Sequence, residues 1–253
     1  MPEHAVDHFL AGIAGRADDR RRVHRRILRE QPHITQTRVD LLSAGSVARV
    51  PTVAETLDLL DWRRLVAALY EEIRAAAEPE AAWWRWREAR AELYRTHPQS
   101  PVLPPARAGF SGLDYYAYDS SARVLAELED LEALPQPIET SGPQPMLFRR
   151  FARASFELRG EPLALEVYWL EGYAGGVFLP FRDATSGTET YGGGRYVLDT
   201  VKGADLGSED GRLVLDFNFA YHPSCFYDPG WVCPLAPPNN RLPVAVGAGE
   251  RVP

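Results

Sequence analysis

Residues 212–221 read RLVLDFNFAY. Leu213, Leu215, Phe217 and Phe219 alternate with Val214, Asp216, Asn218 and Ala220. A period of two predicts a strand with one apolar face and one face carrying Asp216 and Asn218. The preceding EDGR, at 209–212, predicts the hairpin turn that enters this strand. Similar apolar runs bounded by glycine or proline occur at 146–158 (MLFRRFARASFEL), 162–173 (PLALEVYWLEGY), 175–183 (GGVFLPFRD), 193–201 (GGRYVLDTV) and 241–250 (RLPVAVGAGE). Many short strands at close spacing predict an antiparallel β-sandwich or a small β-barrel.

Upstream the period changes to that of a helix. In PTVAETLDLLDWRRLVAALYEEIRAAAEPE (51–80), Val53, Leu57, Leu60, Val66, Leu69 and Ile73 recur every three to four residues. Thr52 and Glu55 have the spacing of a capping box. A second helix, PEAAWWRWREARAELYRTHPQ (79–99), starts on Pro79 and is stopped by Pro98. Trp83, Trp86, Arg90, Leu93 and Tyr94 fall near one of its faces. The chain therefore divides into an N-terminal extension (1–50), a helical hairpin (51–97) and a β-rich domain (98–253). The fold class is α+β, with two N-terminal helices packed on a mainly antiparallel β-domain.

The 253 residues carry a formal net charge of −7. That excludes a dominant nucleic-acid role, which needs a basic footprint. Seven arginines do crowd residues 16–29, and they read as a solvated helix or a loosely attached extension. No stretch reaches the ~20 apolar residues needed to cross a bilayer. The N-terminus lacks the basic-then-apolar order of a secretory signal, so the expected location is the cytoplasm, where thiols stay reduced. No cofactor motif is legible, and the sequence does not set the oligomeric state.

Three polar clusters are candidates for chemistry. The first is PFRDATSGTETYGGGRY (180–196). Asp183, Thr185 and Gly187 suit a tight turn, and the triple glycine suits a bulge or a close approach. It reads either as strand–turn–strand or as a ligand rim using Arg182, Asp183, Thr188, Tyr191 and Arg195. It is not a phosphate loop, because no Lys-Ser/Thr ending and no helix follow. The second cluster is Asp216 with Asn218. If their face lines a cleft they need partners, and Arg182 and Arg195 are the candidates.

The third is the proline-rich stretch HPSCFYDPGWVCPLAPPNN (222–240), which predicts an ordered loop. His222, Cys225 and Cys233 have the spacing H-x2-C-x7-C. Zinc takes four ligands, so Asp228, a distant group or water would complete a site. The same residues also fit a disulfide between Cys225 and Cys233, a Cys225–His222 nucleophile pair, or two buried free thiols.

FRDATSGTETYGGGRY, followed by LDFNFAYHPSCFYDPGWVCPLAPPNNRLPVAVGAGE, resembles the C-terminal signature of a bacterial family known as domain of unknown function 1684. WRWREARAELYRTHPQSPV resembles its N-terminal portion, so the likeness covers roughly residues 60–252. The resemblance implies no activity. Many members carry Asn where this chain has His222, and Asn is a poor zinc ligand.

The leading expectation is binding of a small polar molecule in a cleft edged by the 180s turn and the 222–240 loop. Arg182, Asp183, Arg195, Asp216 and Asn218 would supply polarity, and Tyr191, Tyr221 and Trp231 the walls. The alternatives are a hydrolytic or metal-assisted enzyme using His222 with Cys225 or Asp216, and an interaction module docking through the Trp-rich helix.

Overall fold

The computed structural model describes residues 51–172 and 175–253; the N-terminal extension read over 1–50 lies outside the described residues. The described fold is α+β with a barrel-like sheet. Its helices are α1 (Val53–Ala75), α2 (Pro79–Thr96) and the single turn α3 (Pro104–Arg107). Its strands are β1 (Arg123–Ile138), β2 (Met146–Leu158), β3 (Glu161–Leu170), β4 (Val177–Phe181), β5 (Arg195–Asp199), β6 (Ser208–Glu209) and β7 (Arg212–Asp216).

The capping box forms at the start of α1. The Glu55 amide donates to Thr52 Oγ1 at 3.2 Å, and the Thr52 amide donates to Glu55 at 2.7 Å. Only the second half of the apolar stripe on α1 is buried, through Leu69, Tyr70 and Ile73, while Val53 and Leu57 are exposed. On α2 the buried positions are Ala82, Trp83, Trp86, Arg90 and Tyr94, a repeat of three to four residues that makes one face. Trp83 donates its indole N–H to the Asn218 carbonyl at 2.9 Å. The Trp86 ring meets Phe219 with centroids 5.1 Å apart.

All strand pairs are antiparallel, in the order β5-β4-β3-β2-β1-β7-β6 within one sheet. Of the two forms expected, a single curled sheet is observed, not a sandwich. Beyond the end of β7, Tyr221 exchanges backbone hydrogen bonds with Tyr196 of β5, at 2.9 and 3.1 Å. That bridge brings the two ends of the curl together. Inside lie Leu165, Val167, Leu179, Phe181, Leu215, Phe217 and their neighbours.

Three expectations about strands are corrected. The longest strand, β1, is absent from the apolar runs. Its outer half carries Glu127, Glu129 and Asp130 and is largely exposed, so it shows no clean alternation. Residues 241–250 form no strand; they are a tail pinned to the sheet by side chains described below. The alternation over 212–221 also stops early. β7 ends at Asp216, and Phe217–Phe219 make a 3-10 turn. Val214, Leu215, Asp216, Phe217 and Asn218 are all buried, so the segment has no solvent face.

The predicted hairpin turn is present. Asp210 and Gly211 both take positive φ, 50° and 76°, the pattern of a type I′ turn. Gly249 uses the same left-handed region, at φ 81°, for a different reason. A Cβ there would stand 2.5 Å from the Phe217 carbonyl oxygen and 2.7 Å from that of Ala220, whereas nothing lies within 4 Å of one at Gly211. Gly249→Ala is therefore expected to cost more than about 2 kcal/mol in urea or thermal unfolding. Gly211→Asn should stay within about 1 kcal/mol of the wild type, because Asn tolerates this φ and has open space. Equal stabilities for the two variants would contradict the backbone clash.

Candidate functional site

The polar residues singled out from sequence separate into two groups. One group holds the tail. Arg195 lies on β5, wholly buried, and donates to the carbonyls of Val246, Ala248 and Glu250 and to Asp183 Oδ2 at 3.2 Å. Asp183 Oδ2 also accepts the Val246 amide at 2.6 Å, while its Oδ1 accepts the hydroxyls of Thr185 and Ser186. The 180s turn is thus built around a carboxylate whose acceptor sites are occupied. Gly194 permits the close approach expected of the triple glycine, since a Cβ there would be 2.6 Å from the Phe181 carbonyl oxygen.

Asp216 and Asn218 belong to the same structural group. Asp216 Oδ1 accepts the Asn218 amide at 2.9 Å and its Nδ2 at 2.8 Å, capping the 3-10 turn. Asn218 also exchanges hydrogen bonds with the Asp119 backbone, at 2.9 and 2.7 Å. Their expected pairing with Arg182 or Arg195 is not observed, because the end of the strand turns both side chains to nearer partners. Burial raises the Asp216 pKa, and the Asn218 hydrogen bonds oppose it. Arg182 is tied through its backbone to Asn240 and Leu242. Asn240 plays a part that sequence reading missed. Its side-chain amide bonds the Glu166 backbone at 2.8 and 2.9 Å and the Pro180 carbonyl at 2.8 Å, filling the place where β3 and β4 have parted.

The other group surrounds a cavity. About 340 Å³ of space lies between α1, α2 and the 221–233 segment. Trp62, Tyr70, Trp86, Tyr94, Tyr221 and Trp231 supply aromatic wall, and His222 and Cys233 also line it. Its charged lining consists of Arg63, Arg90 and Lys202, with no carboxylate. Of the expected ligand contacts, Tyr221 and Trp231 are here. Arg182, Asp183, Tyr191, Arg195, Asp216 and Asn218 are not among the lining residues.

Arg90 is the charged group at the cavity floor. It donates to Glu250 Oε2 at 2.7 Å, Tyr115 Oη at 2.7 Å and Tyr94 Oη at 2.9 Å. Burial disfavours its charge, but Glu250 and the two tyrosines outweigh burial and hold the guanidinium protonated. Burial pushes Glu250 upward while Arg90 pulls it down. The carboxylate also accepts the His222 amide at 3.0 Å. With two charged-form hydrogen bonds at this oxygen, the ionised pair is the state that fits. A charge among the tryptophans of α2 was the available signal for Arg90. Nothing in the sequence pairs it with a carboxylate 160 positions away.

His222 is fully buried. Nε2 accepts the Tyr191 amide at 3.2 Å, which places the proton on Nδ1. Nδ1 has no hydrogen-bond partner and faces Glu250 Oε1 across 3.6 Å. Burial, helped by the charges of Arg195 and Arg90, lowers the imidazole pKa to about 3. The ring is therefore neutral, and its contact with Glu250 is not an ion pair. Both ring nitrogens address groups other than Cys225 and Asp216, the partners expected for a hydrolytic role. Cys225 and Cys233 are buried free thiols. Among the described residues, no group of three His, Cys, Asp or Glu side chains is placed to hold a metal ion. Trp83 is consumed by internal packing, Trp86 packs on Phe219 and lines the cavity, and Trp84 is half exposed. No described helix is long and apolar enough to cross a membrane.

A family model described as a protein of unknown function (DUF1684) matches residues 108–251. The chain belongs to that family. The match begins after α2, so the sheet, the 222–240 loop and Glu250 lie within it while Arg90 and the helical wall do not. A solution NMR structure of an uncharacterized protein from Haloarcula marismortui is 34% identical and superposes with a TM-score of 0.50, covering 68% of this chain and 94% of that one. No curated protein matches.

The His222 environment predicts an acid sensitivity with a definite sign. The unfolded imidazole binds a proton below its ordinary 6.5, whereas the folded one resists until about 3. Stability from this group is complete above 6.5 and is lost as pH falls toward 3. Each unit in that window is worth about 1.4 kcal/mol, so roughly 2 kcal/mol is gone at pH 5. Urea titrations of His222→Asn should lack this loss and give a shallower acid limb than the wild type. Identical limbs between pH 6.5 and 5 would mean that the ring is not buried in its neutral form.

Proposed function

We propose that the protein binds a small ring-bearing organic anion in the cavity between the helices and the 221–233 segment. The observation that carries this reading is the lining itself: aromatic walls with three cations and no carboxylate, in a chain of net charge −7. A volume of about 340 Å³ suits a ligand of one or two fused rings. The walls favour an apolar body, since tryptophan and tyrosine offer large flat surfaces at low cost in entropy. Arg90 is already neutralised by Glu250 and Lys202 stands 3.7 Å from Asp199, so the ligand's charge is assigned first to Arg63, with Lys202 as a shared second cation. Trp231 is partly exposed and stands where the ligand enters.

Relative to the sequence-based expectation, the site moves from the 180s turn to the helical side. The ligand changes from a polar molecule to an apolar one with a charged end. Arg195 and Asp183 instead hold the tail that delivers Glu250 to Arg90, and neither lines the cavity.

Calorimetry with 2-naphthoate is the test. One molecule should bind per chain, and Trp231→Ala should weaken it by about ten-fold through lost stacking, roughly 1.4 kcal/mol. The double variant Arg63→Ala, Lys202→Ala should weaken 2-naphthoate by roughly three- to ten-fold at low salt, the range for partly exposed charges. The same variant should leave the neutral 2-naphthylmethanol unchanged. Absence of saturable binding by either compound would remove the reading.

A further inference from the structure

The 222–240 loop places the chain's two cysteines side by side. From Cys225 the backbone turns tightly, with the Tyr227 and Asp228 amides donating to the Ser224 carbonyl at 3.1 and 3.2 Å. It turns again at Asp228, which accepts the Gly230 amide on Oδ1 at 2.9 Å and the Trp231 amide on its carbonyl at 3.1 Å. Cys233 is then fixed from outside the loop. Its carbonyl accepts the Ser141 amide at 2.9 Å, and its amide donates to Ser141 Oγ at 3.0 Å. Both ends being held, the two thiols come close enough that each is the largest influence on the other's ionisation. On the other side of Cys225 stands the Tyr191 hydroxyl, 3.9 Å from the sulfur. None of the hydrogen bonds described above for the sheet, the tail or the cavity uses these two sulfurs.

We propose that Cys225 and Cys233 form a redox couple that a small hydroperoxide oxidises to an intramolecular disulfide. Cys225 Sγ, as thiolate, attacks the outer peroxide oxygen. The S–O bond forms, the O–O bond breaks, and the departing oxygen takes up the proton that left the thiol, giving water or an alcohol. Cys225 is then a sulfenic acid. Cys233 Sγ attacks that sulfur, the S–S bond forms, and the S–O bond breaks. The hydroxide leaves with the Cys233 proton as a second water. Two thiols and one hydroperoxide give one disulfide, one water and one water or alcohol.

The electrostatics divide the labour. The Cys233 hydrogen bond, working against burial, lowers the Cys225 pKa to about 6. The same contact raises that of Cys233. Cys225 alone also has the Tyr191 hydroxyl beside it, and that second contact assigns it the attacking thiolate and leaves Cys233 the proton-bearing, resolving partner. Burial pushes Tyr191 up to about 12, so its hydroxyl keeps its proton and remains a donor to the sulfur. Both sulfurs are buried, which favours a reagent as small as a peroxide. Of the two, Cys233 lines the cavity, so the couple borders that space through its resolving sulfur.

The test uses the reduced full-length chain and equimolar hydrogen peroxide, followed by denaturation, alkylation and mass measurement. The expected product has lost two hydrogens, resists alkylation at both cysteines, yields a peptide pair joined through Cys225 and Cys233, and is restored by dithiothreitol. Cys233→Ser should stop at the first step, gaining one oxygen at Cys225 that dimedone traps. Cys225→Ser should leave Cys233 reduced at the same dose. In urea the wild type should react at least roughly ten-fold more slowly, because the fold no longer supports the thiolate. Two thiols still open to alkylation after excess peroxide, or a disulfide that joins two chains, would overturn the proposal on the wild type alone.

Discussion

Arg195 brings a positive charge and a fork of N–H donors into a place with no water to meet them. Removing such an ion from solvent costs several kcal/mol unless its donors are filled and its charge is balanced. Here the balance comes from Asp183, and the remaining donors take three carbonyls from one short stretch, 246–250. A segment without strand character is thereby fixed as firmly as a strand. Asp183 closes the arrangement by accepting the Val246 amide, so the tail is bonded through both its N–H and its C=O groups. The cost of the buried charge is also the source of the tail's placement. Any other path for residues 246–250 would leave the guanidinium unsatisfied.

The placement propagates. With the tail fixed, Gly249 fits against the carbonyls of Phe217 and Ala220, and Glu250 is delivered to Arg90 on α2. One carboxylate then joins the helix, the sheet-bound tail and the backbone of His222. Arg90 in turn orients Tyr94 and Tyr115. Opposite, the Tyr196–Tyr221 bridge sets where the chain leaves the barrel-like sheet and becomes the cavity wall. The cavity is therefore bounded by groups that are each fixed for a structural reason. That rigidity is what a binding site needs if little of the binding energy is to be lost in ordering it.

Much of the local structure was legible because its cause was local. The capping box of Thr52 and Glu55, Pro79 at the start of α2 and the Asp210–Gly211 turn depend on residues within a few positions of one another. β2 matched its apolar run, 146–158. The failures share a different cause. β1 escaped because acids on its exposed outer half mask the period of two. Residues 212–221 alternate in sequence, but Asp216 stops the strand by capping the turn that follows, so the apparent polar face never forms. The tail at 241–250 reads as a strand, yet it bonds neighbouring backbone only at isolated points such as Leu242 and Val244, and three of its later carbonyls go to a guanidinium. Of the residues lining the cavity, Tyr221, His222, Trp231 and Cys233 are candidates from sequence, while Arg90, Trp62 and Tyr94 are not. Their importance comes from contacts across long separations, as between Arg90 and Glu250, which no pattern within one segment reveals.

The loop at 222–240 is where these constraints converge. Its prolines prevent regular structure, so its order must come from side chains and from anchors elsewhere, such as Ser141 and Glu250. One consequence is that a single loop carries the neutral His222, the Trp231 wall and both thiols. Cys233 belongs to two environments at once, facing Cys225 on one side and the cavity on the other. A disulfide would draw Cys233 toward Cys225 and reshape that part of the wall. If the reshaping changes the affinity for a ligand by some factor, the ligand must shift the thiol–disulfide equilibrium by the same factor, because the two events share one free-energy cycle. Binding and oxidation would then be two readings of one loop, coupled through a single side chain.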